Sequence, residues 1–139
     1  MLKRCSEFIA YRFVNGEPFL FVQKRTIDAP VAPDMFGIFG GEIEAGESPE
    51  IALLREVYEE LVYRPRDVRF FRRYEHRNVE QYVFICEVDE NFESEITVLE
   101  GEYGKFLNES ELKAERVIDV DRIVFDDVFR WLTGTCESR

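Results

Sequence analysis

"GEIEAGESPEIALLREVYEELVY", from Gly41 to Tyr63, is the stretch that decides the fold. Its second half reads as one helix. Ser48 supplies an N-cap oxygen, and Pro49 suits the first helical position because it has no N–H to leave unpaired. Pro65 stops the helix, since the residue before a proline is pushed out of the α region. The spacing therefore predicts a helix over residues 49–63. At roughly 100° per residue, Leu53, Leu54, Val57 and Leu61 share one core-facing stripe. Glu56, Glu59 and Glu60 fall together beside it, with the small Ala52 on the same acidic face. Like charges one turn apart cost a helix about 0.3 kcal/mol per pair. Each ionised carboxylate also raises the proton affinity of its neighbours. A hard divalent cation, which prefers oxygen ligands, removes that repulsion. The competing reading is a solvated acidic helix face with no ligand.

Upstream of the helix, "FGIFGGEIEAGE" holds four glycines between Gly37 and Gly46, too many for a regular element, so a bent backbone is expected there. Residues 26–35, with Pro30 and Pro33, read as a surface loop. "SEFIAYRFV" (6–14) and "FLFVQKR" (19–25) read as strands, and Asn15-Gly16 between them as a tight hairpin. Downstream, "DVRFFRRYEH" and "EQYVFICEVD" read as two strands joined near Arg77-Asn78. "ENFESEITVLEGE" reads as acidic and irregular, "YGKFLN" (103–108) as a short strand, and "ESELKAE" as a helical turn or two. In "DRIVFDDVFRWLTG" (121–134), Ile123, Val124, Val128, Trp131 and Leu132 recur at helical spacing up to Gly134. Strands around one well-marked helix, with a second helix at the C-terminus, make a mixed α/β fold. No repeat or linker interrupts it, so residues 1–139 are expected to form one domain.

Composition narrows the function. Thirteen phenylalanines argue against disorder. The formal charge of −11 repels phosphate backbones and anionic lipid, which argues against a nucleic-acid polymer or a membrane as partner. A local cation site is the exception, because it reverses the field at one point. Cys5, Cys86 and Cys136 are scattered, and His76 is the only histidine, so a zinc site or a disulfide framework is not expected. The thiols are expected to be buried and inert, and a reducing, cytoplasmic setting fits them. Neither a signal-peptide h-region nor a membrane-length apolar run is present.

The glutamates belong to a longer pattern. Gly41, Glu47, Arg55, Glu56, Val57, Glu59, Glu60 and Tyr63 sit at the spacing of the Nudix box, which this segment resembles. Two positions depart from it. Val62 replaces the final box glycine, and Phe39 replaces the proline that usually precedes the double glycine, here Gly40-Gly41. With Val62 in place, the helix is expected to continue a residue or two toward Pro65.

The resemblance implies a Nudix-like α/β/α sandwich, with a mixed sheet, the box helix on one side and the C-terminal helix packed on the sheet. It implies hydrolysis of a nucleoside diphosphate linked to another group. The metal would be Mg²⁺, with Mn²⁺ as alternative, held by Glu56, Glu59, Glu60 and the main chain at Gly41. The catalytic set would be Glu56, Glu59, Glu60 and Arg55, with Arg55 orienting Glu47 through a bidentate pair. The general base would be Glu56, Glu59, Glu100 or Glu102. Substrate contacts would fall on Arg25, Phe39, Gly40 and Gly41; Phe36, Phe39 and Tyr82 are the candidate stacking rings, each weighed against a core role. The leading substrate is a small-molecule nucleotide, a nucleoside triphosphate ahead of ADP-ribose, nucleotide sugars or dinucleoside polyphosphates. The alternative from another class is a Nudix-fold module that binds a nucleotide without cleaving it; the intact glutamates favour the enzyme.

Overall fold

The computed structural model describes residues 2–134. In chain order the elements are β1 (Lys3–Val14), β2 (Glu17–Lys24), β3 (Phe36–Gly37), β4 (Phe39–Glu42), α1 (Pro49–Leu61), β5 (Arg69–His76), β6 (Val79–Glu87), α2 (Phe92–Glu95), β7 (Tyr103–Leu107), α3 (Glu109–Lys113) and α4 (Asp119–Leu132). They form two compact units. The first comprises the chain up to Ala10 with Ile38–Glu100, and the second comprises Tyr11–Gly37 with the chain from Gly101 onward. The α/β class is as expected: a mixed sheet with helices packed on it.

In the first unit, β1 pairs antiparallel with β4, from Cys5 opposite Glu42 to Phe8 opposite Phe39. On its other side lies β6, which pairs antiparallel with β5 around a bulge between Phe70 and Arg72. Helix α1 packs on β4. The buried Ser6 of β1 ties down the helix start, its Oγ donating to Pro49 O at 2.6 Å. Ser48 caps the helix as expected, accepting from Ile51 N at 3.2 Å. The buried arc differs from the predicted stripe. Ala52, Leu53, Val57, Glu60 and Leu61 are inside, and Leu54 is exposed. On a helical wheel Glu60 lies between Ala52 and Leu53, so an arc that accepts both must bury the carboxyl between them.

The helix also stops sooner than predicted. It ends at Leu61, and Val62 itself takes the left-handed conformation (φ 52°, ψ 47°), its N–H bonding Tyr58 O at 2.9 Å. The valine thus adopts the geometry the missing glycine would have taken, at a cost of about 1–2 kcal/mol. Tyr63 then turns its ring edge-on to Phe92, with centroids 5.0 Å apart.

In the second unit, the β1–β2 hairpin turns through Asn15 (φ 53°) and Gly16 (φ 81°), both left-handed as a type I′ turn requires. Strand β2 pairs antiparallel with β3 and β7. The loop 26–35 is closed at its base by Arg25 N to Met35 O at 2.9 Å. Helix α3 begins with a capping box between Asn108 and Glu111. Helix α4 buries Val124, Phe125, Val128 and Phe129; Ile123 and Trp131, predicted on its apolar face, are exposed. Two phenylalanines one turn apart set that face, and their bulk rotates it away from both residues. Among the described residues, no helix is long and apolar enough to cross a membrane.

Candidate active site

Strand β4 runs through the glycine-rich stretch where a bent, irregular backbone was expected. Its glycines permit close approach instead. A Cβ at Gly40 (φ 151°) would lie 2.3 Å from Ser6 O, and one at Gly41 would lie 2.4 Å from Glu56 Oε2. The strand therefore runs against β1 on one flank and against a helix carboxylate on the other.

Glu60 is 9% exposed. One carboxyl oxygen accepts from Gly40 N at 3.0 Å. Its main-chain oxygen accepts from Leu99 N at 2.7 Å, and Leu61 O accepts from Thr97 N at 2.9 Å, so the segment before Glu100 is pinned along the end of α1. Burial pushes the Glu60 carboxyl up to about 8, and the charges of Glu56 and then Glu100 push in the same direction; the Gly40 N–H opposes them. This direction favours the protonated form, in which Glu60 shares a hydrogen bond with Glu56. A buried carboxyl held against two like-charged neighbours suits a cation, which would replace that proton.

The neighbouring carboxylates are already satisfied. Arg55 forms the expected bidentate pair with Glu47, Nε to Oε2 at 2.7 Å and Nη2 to Oε1 at 2.9 Å. Its Nη1 also donates to Glu56 Oε2 at 2.9 Å, and Nη2 to Glu42 O at 3.0 Å. Glu47 is held down to about 2, first by Arg55 and then by the Glu44 N–H. Glu59 does not join Glu56 and Glu60. It is 57% exposed and lies 3.3 Å from Arg55 Nη1, one turn back along the helix. Accordingly, no three His, Cys, Asp or Glu side chains among the described residues are gathered as a ready-made cation site. Glu59 shares Arg55 Nη1 with Glu56 but stays exposed, so of the three carboxylates of the helical wheel Glu56 and Glu60 are the two that meet.

Of the other expected site residues, Gly40 and Gly41 lie with Glu56 and Glu60 in the first unit, as does Glu100. Glu102 belongs to the second unit, where its N–H bonds Lys24 O at 2.7 Å. Arg25 is also in the second unit, and its Nε donates to Val31 O at 2.8 Å across the base of the loop. Phe39 and Phe36 are corrected as stacking rings: both are buried and offer no free face to a base. Tyr82 is half-buried and engaged by Arg4, whose guanidinium lies 5.3 Å from the ring centroid. Cys5 and Cys86 are free thiols, each pushed up first by burial, Cys5 to about 11, which keeps them protonated; Cys136 lies outside the described residues. His76 is half-buried with Nε2 2.8 Å from Gln81 Oε1, and Gln81 Nε2 donates to Glu7 Oε1 at 2.6 Å. The sequence did not single out Glu7 or Gln81, which are 74 positions apart in strands that carry other polar residues.

The NUDIX domain family model matches residues 3–129 of the chain. The 8-oxo-dGTP diphosphatase of Escherichia coli (strain K12) is 30% identical over 97 residues, which cover 69% of this chain and 74% of that protein. Among solved structures, MutT from work on Aliivibrio salmonicida and Vibrio cholerae superposes with a TM-score of 0.73 at 18% identity, over 98% of this chain and 100% of that one. The NUDIX domain of Shewanella oneidensis NrtR, in complex with ADP ribose, superposes with a TM-score of 0.77 at 12% identity, over 96% and 90%.

Proposed function

The chain belongs to the NUDIX family, as a nucleotide pyrophosphohydrolase, and from that premise we propose that it cleaves a phosphoanhydride bond of a nucleoside triphosphate with Mg²⁺ as cofactor. In the reaction water adds to phosphorus, the bridging P–O bond breaks, and two phosphorylated products leave. The relative from E. coli, named for a modified deoxyguanosine triphosphate, supports the triphosphate class, a damaged nucleotide included. The family match extends across both compact units, which supports treating residues 1–139 as one hydrolase domain. The free thiols Cys5 and Cys86 support a reducing, cytoplasmic setting.

One observation carries the reading: Glu60 is buried in the last turn of α1 with one oxygen on Gly40 N, beside the charges of Glu56 and Glu100 that a cation would offset. Glu56, Glu60 and the main chain at Gly41 would hold the ion, with Glu59 joining once it leaves Arg55. All are oxygen donors, the set that Mg²⁺ and Mn²⁺ prefer. When bound, the ion would neutralise substrate phosphates and acidify a water. Arg55 keeps Glu56 and Glu47 in place through charge-assisted hydrogen bonds. Glu100 is the general base we favour over Glu56, Glu59 and Glu102: its charge already acts on Glu60, and its segment is pinned to α1. Arg25 keeps its proposed phosphate contact through its Nη donors, while Nε stays on Val31 O.

The test is a phosphate-release screen over nucleoside triphosphates, ADP-ribose, nucleotide sugars and dinucleoside polyphosphates, with Mg²⁺ and with Mn²⁺, beside Glu60→Gln. Metal-dependent turnover of triphosphates that Glu60→Gln abolishes is the expected result. Preference for another class would overturn the substrate, and binding without turnover would leave a non-catalytic module. Glu100→Gln with undiminished turnover would remove Glu100 as base.

A further inference from the structure

We infer that Glu7 and Gln81 are positioning residues that hold the Gly40 peptide so that its N–H stays aimed at Glu60; the inference rests on the proposed role of Glu60. Gly40 is a soft point in β4. Its φ of 151° belongs to a backbone region that residues with a side chain rarely adopt, so nothing of its own keeps the peptide from rotating. Yet its N–H must stay fixed, because it is the donor that holds one oxygen of the buried Glu60 at 3.0 Å.

The restraint comes from across the strand pair. Glu7 is the register partner of Gly40. The Glu7 side chain lies over the glycine: a Cβ built at Gly40 would stand 2.8 Å from Glu7 Cα and 3.0 Å from Glu7 Cγ. The Glu7 carboxylate is in turn fixed from β6, where the buried Gln81 donates Nε2 to Glu7 Oε1 at 2.6 Å. Gln81 thereby turns its Oε1 to His76, 2.8 Å away, which fixes the orientation of the amide. The ordered sequence is His76, Gln81, Glu7, the Gly40 peptide and Glu60. Each link is a hydrogen bond or a packed contact within the first unit. Outer partners of this kind hold a liganding side chain in the geometry it needs.

The test uses the full chain and three substitutions. Gln81→Met keeps the length of the side chain and removes the amide. Glu7→Ala removes the cover over Gly40. Glu7→Gln keeps an Oε1 that can accept from Gln81. The first readout is the Gly40 amide in a nitrogen-15 correlation spectrum, where a hydrogen bond to a carboxyl group shifts the proton downfield. Gln81→Met and Glu7→Ala are expected to move that resonance upfield and to lower kcat roughly tenfold to a hundredfold, with KM for nucleotide little changed. Glu7→Gln is expected to restore both. A Gly40 resonance unmoved in Gln81→Met and Glu7→Ala would overturn the inference, as would a Glu7→Gln variant no better than Glu7→Ala. Because the resonance is read without substrate, absence of nucleotide turnover in the wild type would sink the proposed function and leave this test standing.

Discussion

Two carboxylate groups meet α1 within the first unit and differ in nearly every respect. Glu47 sits in the loop before the helix, grips Arg55 with both oxygens and is held down to about 2. Glu60 sits in the last turn, buried beside Glu56, and is pushed up to about 8. The first is complete: the Glu47 carboxylate has an opposite charge on both of its oxygens, and the pair braces the loop against the helix. The second is incomplete, because its nearest charged neighbours repel it and only a backbone N–H favours its ionised form. The contrast teaches that acidic residues a turn or two apart can be structural or functional according to who neutralises them. An arginine from the chain makes a brace, and a site without one asks for a cation from outside.

The largest expected effect removes the incomplete member. Glu60→Gln should lower turnover by about a thousandfold or more, yet raise the stability of the metal-free protein, since an amide needs no proton to stay buried. Steady-state kinetics and thermal melting without divalent ion check the two halves together. Next comes Gly41→Ala, whose new methyl would stand where the Glu56 carboxylate is. That carboxylate is the end of a flexible side chain and can swing aside, so the fold should survive while activity falls about tenfold to a hundredfold. A melting curve close to wild type, paired with reduced kcat/KM, is the expected result.

Titration separates the two groups further. Glu47 has its folded pKa lowered, so its contribution is present above the unfolded value near 4.5 and is lost as pH falls toward about 2. Glu60 has its folded pKa raised, so its contribution is full below about 4.5 and is lost as pH rises toward about 8. In metal-free protein these opposing limbs meet near pH 4.5. Chemical denaturation across pH should show Glu47→Gln removing the acid limb and Glu60→Gln the alkaline one. The smallest effect lies one residue beyond the helix: Val62→Gly should raise stability by about 1 kcal/mol by relieving the left-handed strain, with turnover unchanged.

What was legible in the sequence was local. Ser48-Pro49 marks the helix start because capping is settled within three residues. The pairing of Arg55 with Glu47 came from the Nudix resemblance, and a loop and two helical turns bring the two together. Asn15-Gly16 announced its hairpin. What was hidden depends on the partner surface. The wheel placed Leu54 inside and Ala52 outside, and packing against the sheet reversed them. It gathered three glutamates, whereas Glu59 stays exposed. The glycines of β4 read as a break, although they serve a strand pressed between β1 and a carboxylate. Gln81 and Glu7, 74 positions apart, gave no local sign that they meet. The Nudix box succeeds because it records such distant requirements as a spacing.

The most direct measurement is the carbon-13 titration of the Glu60 carboxyl group, first without divalent ion and then at saturating Mg²⁺. The midpoint is expected near 8 in the free protein and is expected to be lost with Mg²⁺, the carboxylate staying ionised throughout the neutral range. A midpoint near 4.5 in both samples would contradict it, for Glu60 would then be an ordinary solvated side chain with no need of a cation.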